Sequence, residues 1–252
     1  MTDGTTRGRI RIEQGAKRVR AFVGGELVAD TTSPLLVWER PYYPRYYFAA
    51  ADVKTDLLVA EGDVHHSPSR GDAELHTIKA GGKEAGGGAR WYKVSKIEEL
   101  KGTITFEWDA VDAWFEEDEQ IYVHPRNPYT RIDVLPSSRR VEVFVDGTKV
   151  ADSTHGRFLH ETGLPTRYYL PKVDVRQDLL AESDLHTDCP YKGTASYYHV
   201  DVDGTRHENL VWWYPTPVEE SARIAGYVSF YNEKVDIVLD GEPLERPKTI
   251  FS

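Results

Sequence analysis

Cysteine is almost absent from this chain, and its scarcity restricts both the fold and the chemistry. One cysteine in 252 residues excludes an intrachain disulfide framework and a zinc site built from several thiolates. Hydrophobic runs are also short, since none approaches the roughly 20 apolar residues that a helix needs to cross a bilayer. We therefore expect a protein with an ordinary hydrophobic core and no membrane partner.

Positive charge is scarce as well. Thirty-one Lys and Arg residues stand against 41 Asp and Glu residues, which gives a formal net charge of −10. Proteins that bind nucleic acids concentrate basic residues to displace the counterions of phosphate, so we expect no nucleic-acid partner. The first residues lack the basic and apolar blocks of a secretory signal, which predicts a cytoplasmic location.

What the chain does contain is an internal duplication. Residues 19–58 align without a gap on residues 141–180, at an offset of 122 (141 − 19), and 17 of the 40 aligned positions are identical. The same offset places Ser67–Ala73 on Cys189–Ala195. The duplication predicts two domains, residues 1–130 and residues 131–252, each large enough to bury a core of its own.

The residue pattern of both copies is typical of strands. Val19–Val23 and Val141–Val145 alternate apolar and polar residues, and each is followed by a glycine-containing pair that favours a tight hairpin. We expect a mainly β fold of two repeated, compact β-rich domains, each with one short helix. In the second copy that helix would have Thr216 as its N-cap and last about two turns, to Gly226. Its counterpart would lie near residues 112–117.

A glycine-rich stretch suggests a difference between the copies. Pairing Trp108 with Trp213 gives an offset of 105 (213 − 108), which leaves 17 extra residues (122 − 105) in the first copy. These residues fall around 79–95, where Gly81–Gly88 contains five glycines. We expect a flexible loop or hairpin tip, and the absence of a following Gly-Lys-Ser/Thr excludes a phosphate-binding P-loop.

The segment Cys189–Gly193 carries the first candidate chemistry. A thiol is nucleophilic as the thiolate, which a nearby ammonium favours, and Lys192 lies three residues after Cys189. Gly193 allows a ligand to approach the backbone closely. The alternative is a structural β-turn with a buried cysteine and a solvated lysine. The first copy has a serine and an arginine at the two positions.

A second segment, Leu159–Tyr169, adds groups that both copies retain. Glu161, Arg167, Tyr168 and Tyr169 match their counterparts in the first copy while their neighbours differ. A guanidinium suits a carboxylate or phosphate, and tyrosines offer flat apolar walls with a polar tip. Glu161 and Arg167 could equally form a structural ion pair.

No metal or other cofactor is predicted. The nine histidines show no His-x-x-x-His spacing, and paired Cys-x-x-Cys motifs are missing. Asp201-Val202-Asp203 is similar to the two-carboxylate magnesium site of some nucleotidyltransferases. However, Asp203-Gly204 fits a turn between two strands better.

Three strings carry a resemblance to a known family: Glu161–Tyr169, Thr187–Tyr198 and Ile224–Tyr231. They resemble the bacterial domain-of-unknown-function 427 family, and the junction strings His124–Tyr129 and Ser137–Arg139 resemble its double-domain members. The resemblance implies a compact β-rich fold similar to β-tent domains, whose relatives often bind zinc through cysteines that this chain lacks. The family also carries the label of a nucleotidyltransferase. Its signature implies a site formed by Glu161, Arg167, Tyr169, Thr187, Cys189, Lys192 and Tyr198.

These observations predict a cytoplasmic protein that binds a small anionic metabolite or nucleotide-like ligand in a pocket of the second domain. The predicted catalytic residues are Cys189, Lys192 and Glu161. The predicted ligand-binding residues are Arg167, Tyr168, Tyr169, Thr187, Tyr191 and Tyr198. Two alternatives stay open: a nucleotidyltransferase-type or cysteine-dependent enzyme, and a non-catalytic scaffold. Homo-oligomer formation is also open.

Overall fold

The computed structural model describes residues 10–249 and 251–252. The chain divides into two compact units between Asn127 and Pro128, three residues before the boundary expected at residue 130. Each unit contains one copy of the duplicated sequence. The two copies share one strand topology.

The first repeat consists of two antiparallel sheets. The larger has the strand order β1-β4-β5-β9-β8-β7-β6, and the smaller has the order β11-β10-β2-β3. The strands are β1 (Arg11–Gln14), β2 (Val19–Val23), β3 (Glu26–Thr31), β4 (Leu35–Trp38), β5 (Arg45–Ala49), β6 (Leu58–Ser67), β7 (Gly71–Ala80), β8 (Lys83–Tyr92), β9 (Thr103–Phe106), β10 (Ala113–Glu116) and β11 (Glu119–Ile121).

The second repeat has the same arrangement. Its larger sheet has the order β12-β15-β16-β20-β19-β18-β17, and its smaller sheet has the order β14-β13-β21-β22. The strands are β12 (Ile132–Ser137), β13 (Val141–Val145), β14 (Thr148–Ser153), β15 (Gly156–Glu161), β16 (Arg167–Pro171), β17 (Leu180–Cys189), β18 (Gly193–Val202), β19 (Thr205–Trp213), β20 (Tyr227–Phe230), β21 (Asp236–Leu239) and β22 (Glu242–Pro243). The prediction of a mainly β, duplicated fold is confirmed.

The predicted hairpins form where the turn residues indicated. Asp146 and Gly147 join β13 to β14 with φ of +48° and +80°. Asp203 and Gly204 join β18 to β19 with φ of +49° and +80°. Positive φ at both turn positions matches the right-handed twist of the flanking strands. Asp203 therefore lies in a turn between two strands, which is the interpretation that the sequence favoured over a magnesium site.

The helices are short 3-10 turns, and the two helix predictions need correction. The helix of the second repeat begins at Glu219, because the Val218 N–H donates to the Lys192 carbonyl at 3.2 Å and holds Val218 extended. The strand β10 (Ala113–Glu116) takes the place of the helix expected near residues 112–117. Among the described residues, no helix is long and apolar enough to cross a membrane. The 3-10 helices are Ala50–Asp52, Thr55–Leu57, Glu98–Leu100, Trp108–Ala110, Lys172–Asp174, Gln177–Leu179 and Glu219–Ile224.

The glycine-rich stretch forms the tip of the β7–β8 hairpin and part of β8, which confirms the expected hairpin tip but not the insertion. In β7 and β8, Glu74 pairs with Trp91, and in β18 and β19, Ser196 pairs with Trp213. The offset of 122 therefore continues through this hairpin (213 − 91), and the alignment of Trp108 with Trp213 is wrong. Gly81 is required at the hairpin tip, because a Cβ there would lie 2.1 Å from the Gly24 carbonyl oxygen.

Each larger sheet has apolar clusters on its two faces. In the second repeat, Leu170 and Val211 pack toward the smaller sheet, whereas Tyr169 and Trp212 belong to a cluster with Ile224 of the 3-10 helix. Neighbouring residues along a strand alternate between faces. This alternation decides which of the predicted site residues can meet.

Candidate functional site

The loop that joins β17 to β18 brings the three predicted catalytic residues together. Lys192 Nζ lies 2.5 Å from Glu161 Oε2 and 3.8 Å from Cys189 Sγ. The side chains of Lys192 and Glu161 are each 9% exposed. The ammonium and the carboxylate thus form a buried ion pair beside the thiol.

Hydrogen bonds to the 3-10 helix Glu219–Ile224 and the residue before it position this loop. The Lys192 carbonyl accepts from the Val218 N–H, and the Tyr191 carbonyl accepts from Ser221 Oγ at 2.8 Å. Gly193 follows with φ of +95°, a conformation that glycine adopts without the usual steric cost. These backbone contacts therefore fix the position of Lys192 relative to the 3-10 helix Glu219–Ile224.

Arg167 forms a buried pair with a residue that the sequence did not indicate. Its two terminal nitrogens each donate to Glu233, both at 2.7 Å, and the two side chains are 7% and 0% exposed. The guanidinium also lies over the rings of Trp212 and Phe251, 5.6 Å from each centroid. The proposed Glu161–Arg167 ion pair is wrong, since Lys192 is the partner of Glu161.

Tyr169 and Thr187 lie on the same face as the Cys189 loop. Trp212 Nε1 donates to the Tyr169 hydroxyl at 3.0 Å, and burial raises the pKa of Tyr169. Thr187 Oγ1 and the Tyr197 hydroxyl are hydrogen-bonded at 2.7 Å. These residues extend the polar cluster across the sheet.

Tyr168 and Tyr198 do not join this cluster. Both pack against the core cluster between the two sheets of the second repeat. Tyr168 precedes Tyr169 and Tyr198 follows Tyr197, and neighbouring residues of a strand point to opposite faces of the sheet. The Tyr168 ring meets Phe158 edge-on at 4.8 Å, and Lys172 Nζ donates to the Tyr198 hydroxyl at 3.0 Å. Their assignment to the same pocket wall as Tyr169 is therefore wrong.

The first repeat contains a cavity of about 550 Å³. It lies where β4 and β9 end and β5 begins, and β6 and β8 contribute His65 and Arg90. Its lining residues are Glu39, Arg40, Tyr43, Arg45, Tyr46, His65, Arg70, Arg90, Phe106, Glu107, Trp108, Asp109, Trp114, Val123, His124 and Pro125.

Two carboxylates in this cavity are each shared by two basic side chains. Glu39 Oε2 lies 2.9 Å from Arg70 and Glu39 Oε1 lies 3.8 Å from Arg45. Glu107 Oε1 lies 3.1 Å from Arg45 and 2.6 Å from Arg90. Each carboxylate therefore serves more than one guanidinium, and Arg90 Nε is buried and lacks a hydrogen-bond partner within the described part of the chain.

Strand geometry explains why these groups meet. Arg45 is the first residue of β5 and donates to the Phe106 carbonyl at the end of β9, at 2.8 Å. Arg90 on β8 pairs in register with Thr105 on β9, one strand further along the sheet. Neighbouring strands lie about 4.8 Å apart, so arginine side chains on β5 and β8 both reach Glu107.

The cavity also changes the proton affinity of its titratable groups. Burial lowers the pKa of His65, and the charges of Arg90 and Arg70 lower it further. Burial and the charge of Glu39 raise the pKa of Tyr47, whose hydroxyl donates to Glu39 at 2.6 Å. At neutral pH the lining therefore contains a neutral imidazole beside charged guanidinium groups.

Aromatic rings complete the lining. Tyr43 and His124 stack in parallel with centroids 4.0 Å apart, and Trp108 stacks on Trp114 at 4.9 Å. The cavity thus combines basic groups with flat apolar surfaces. Across residues 10–249 and 251–252, no three His, Cys, Asp or Glu side chains are grouped as a metal site requires.

The sequence did not indicate this cavity, although one signal was present. Trp91-Tyr92 and Trp213-Tyr214 match at the offset of 122, which would have kept Arg90 in alignment with Trp212. An insertion around residues 79–95, which we expected from the sequence, would leave Arg90 without a counterpart in the second copy. Glu107 follows β9 and has no acidic counterpart, since Tyr231 occupies the equivalent position after β20.

Comparisons with known proteins identify the family. A search of curated proteins finds no match. A family model named NTP_transf_9 and described as a domain of unknown function (DUF427) matches residues 11–117 and residues 133–241. The two matches cover most of both repeats, and the chain therefore belongs to the DUF427 family, with two copies of the family's domain in tandem.

Proposed function

We propose that this protein binds a small anionic ligand that carries a planar ring, and that the ligand occupies the cavity of the first repeat. The observation that carries the proposal is the composition of the lining. Four arginines and three carboxylates line the cavity together with aromatic side chains. With neutral histidines, the lining has one excess positive charge (4 − 3).

The arginines have donors to offer an anion. Arg40 is exposed and has no ion-pair partner among the residues that the structure describes. Among residues 10–249, the acidic partners of Arg45, Arg70 and Arg90 are Glu39 and Glu107. A guanidinium presents five N–H donors in a plane that matches the oxygens of a carboxylate or phosphate. An anion in the cavity would use the donors that the two carboxylates leave free.

Size and shape favour a metabolite with a ring. Ligand pockets for small molecules range from about 300 to 1,000 Å³, and this cavity is within that range. Tyr43 and Trp108 offer faces on which a flat ring can stack. A nucleoside phosphate combines a ring with an anion, and the family's name, NTP_transf_9, indicates the same class.

The second repeat supports anion binding less well. Arg167 and Lys192 are each buried with a carboxylate of their own, so an anion would have to displace Glu233 or Glu161. A cysteine-dependent reaction at Cys189 is the second candidate function, because Lys192 Nζ lies 3.8 Å from the sulfur. Location in the cytoplasm stays a prediction from the sequence.

Titration with adenosine 5′-monophosphate (AMP) tests the proposal. We expect the wild-type protein to bind AMP in isothermal titration calorimetry and Arg90→Gln to bind it about 10- to 100-fold more weakly, since a hydrogen bond to a charged group contributes about 1.5–3 kcal/mol. Glu107 keeps Arg45 as a partner in this variant.

The matched control is Arg206→Gln, which removes an exposed arginine that pairs with Asp201 on the neighbouring strand. We expect its AMP affinity to equal that of the wild type. An affinity of Arg90→Gln equal to that of the wild type, or no binding of AMP by the wild type, would contradict the proposal.

A further inference from the structure

The positions that line the cavity of the first repeat have counterparts in the second repeat. Tyr47 pairs with Thr105, and Tyr169 pairs with Ser229, so residues that follow β9 and β20 correspond at an offset of 124 (229 − 105). Arg45 corresponds to Arg167 at the offset of 122. The same comparison places Trp212, Tyr231 and Glu233 at the positions of Arg90, Glu107 and Asp109.

In the second repeat, Thr249 and Phe251 contact the residues at these positions. The Phe251 ring lies 5.6 Å from the guanidinium carbon of Arg167 and 6.2 Å from the ring of Tyr231. Thr249 Oγ1 donates to Glu233 Oε1 at 2.6 Å. A ring and a hydroxyl of the chain itself therefore contact the groups that correspond to the cavity lining.

We propose that the second repeat contains a second binding site for a planar ring, and that Phe251 occupies it. The Arg167 guanidinium carbon lies 5.6 Å from the ring centroids of both Trp212 and Phe251. Guanidinium groups stack on aromatic rings with a preference for planar partners. A free planar molecule could replace the Phe251 ring without disturbing the pair between Arg167 and Glu233.

The charges of this second site define the class of ligand. Its basic groups, Arg167 and Lys192, are balanced by Glu233 and Glu161 at hydrogen-bond distance. Lys234 Nζ lies 4.8 Å from the Tyr231 ring centroid but is exposed to solvent. The buried groups of the site therefore carry no excess charge and favour an uncharged ring, whereas the cavity of the first repeat has an excess positive charge. The second site is therefore expected to accept a nucleoside or another neutral heterocycle and to gain little from a phosphate.

The inference takes the role of the cavity from the proposed function, and its test separates the two. Native mass spectrometry would count the molecules bound by the wild type and by Phe251→Ala, with AMP and with adenosine as probes. We expect the wild type to bind one AMP, and we expect Phe251→Ala to bind one AMP and, in addition, one adenosine. Phe251→Tyr is the matched control, because it keeps a planar ring at this position and should match the wild type.

Each outcome decides the proposal. Adenosine bound to Phe251→Ala but not to Phe251→Tyr supports the second site, even if the wild type binds no AMP and the proposed function fails. Equal adenosine binding by all three proteins overturns it. If Phe251→Ala does not fold, Phe251→Leu, which keeps most of the apolar contact and lacks the planar ring, replaces it with the same expected gain of one adenosine.

Discussion

Replacing Glu233 with glutamine should destabilise the second repeat strongly. Glutamine keeps the size and shape of the side chain, so the change removes the charge and little else. Arg167 would stay buried, 7% exposed, beside two aromatic rings and without a carboxylate. Removing one partner of a buried ion pair typically costs about 3–5 kcal/mol. The amide oxygen can still accept one N–H bond, so we expect a value near 3 kcal/mol.

Urea unfolding would measure this loss as a decrease in the free energy of unfolding of the second repeat. A change near 3 kcal/mol in a unit of this size corresponds to a melting temperature lower by about 10 °C. The double variant Glu233→Leu with Arg167→Met should recover most of the stability, because replacing a buried pair with apolar residues avoids the unpaired charge. A cost below about 1 kcal/mol for Glu233→Gln, the range of exposed pairs, would refute the reasoning.

The acid dependence of stability should change in the same variant. Burial pushes the pKa of Glu233 up, but hydrogen bonds from Arg167 and Thr249 outweigh it and hold the pKa below its ordinary value of 4.5. The stability from this group is therefore present above pH 4.5 and is lost as the pH falls below it. Glu233→Gln should lose stability less steeply than the wild type over that acid range.

Two further predictions concern the candidate sites. A bound anion should favour the charged form of His65, whose pKa burial lowers. The ratio of the AMP affinity of the wild type to that of His65→Ala should therefore rise as the pH falls from 8 to 5. A ratio independent of pH would contradict this. Since Lys192 Nζ lies 3.8 Å from Cys189 Sγ, Lys192→Met should slow alkylation of the folded protein by iodoacetamide about 3- to 10-fold, because it removes the ammonium that favours the thiolate and leaves the Glu161 carboxylate. The exposed Lys234→Met is the control, and equal rates for both variants would exclude an activated thiol.

Local sequence signals predicted the strands well because their causes are local. Asp146-Gly147 and Asp203-Gly204 close their hairpins through the backbone freedom of two residues. The predicted helix forms but begins at Glu219 rather than directly after Thr216, because the bond from Val218 to the Lys192 carbonyl comes from a loop that is distant in sequence. The alignment of Trp108 with Trp213 was wrong because the glycine-rich stretch was interpreted as a flexible insertion. Glycine content indicates flexibility only when no neighbouring strand pairs with the segment, and here β7 pairs with it.

The candidate site was predicted in part. The proximity of Lys192 to Cys189 follows from their separation of three residues, and Glu161 arrives through the pairing of strands. Glu233 could not be found, because it lies 66 residues after Arg167 (233 − 167) and reaches it only through the fold. Tyr168 and Tyr198 were misplaced because a search for clusters of residue types ignores the alternation of faces along a strand.

The ratio of carboxylates to basic groups distinguishes the two repeats more clearly than the cysteine does. In the second repeat, Arg167 pairs with Glu233 and Lys192 pairs with Glu161, so each of these two cations has a carboxylate of its own. In the first repeat, Glu39 and Glu107 are shared among three arginines, and the compensation is incomplete. Divergence at Arg90, which corresponds to Trp212, therefore exchanges a charged hydrogen-bond donor for a flat ring. The copy with Ser67 and Arg70 in place of Cys189 and Lys192 is the one in which we propose an anionic ligand.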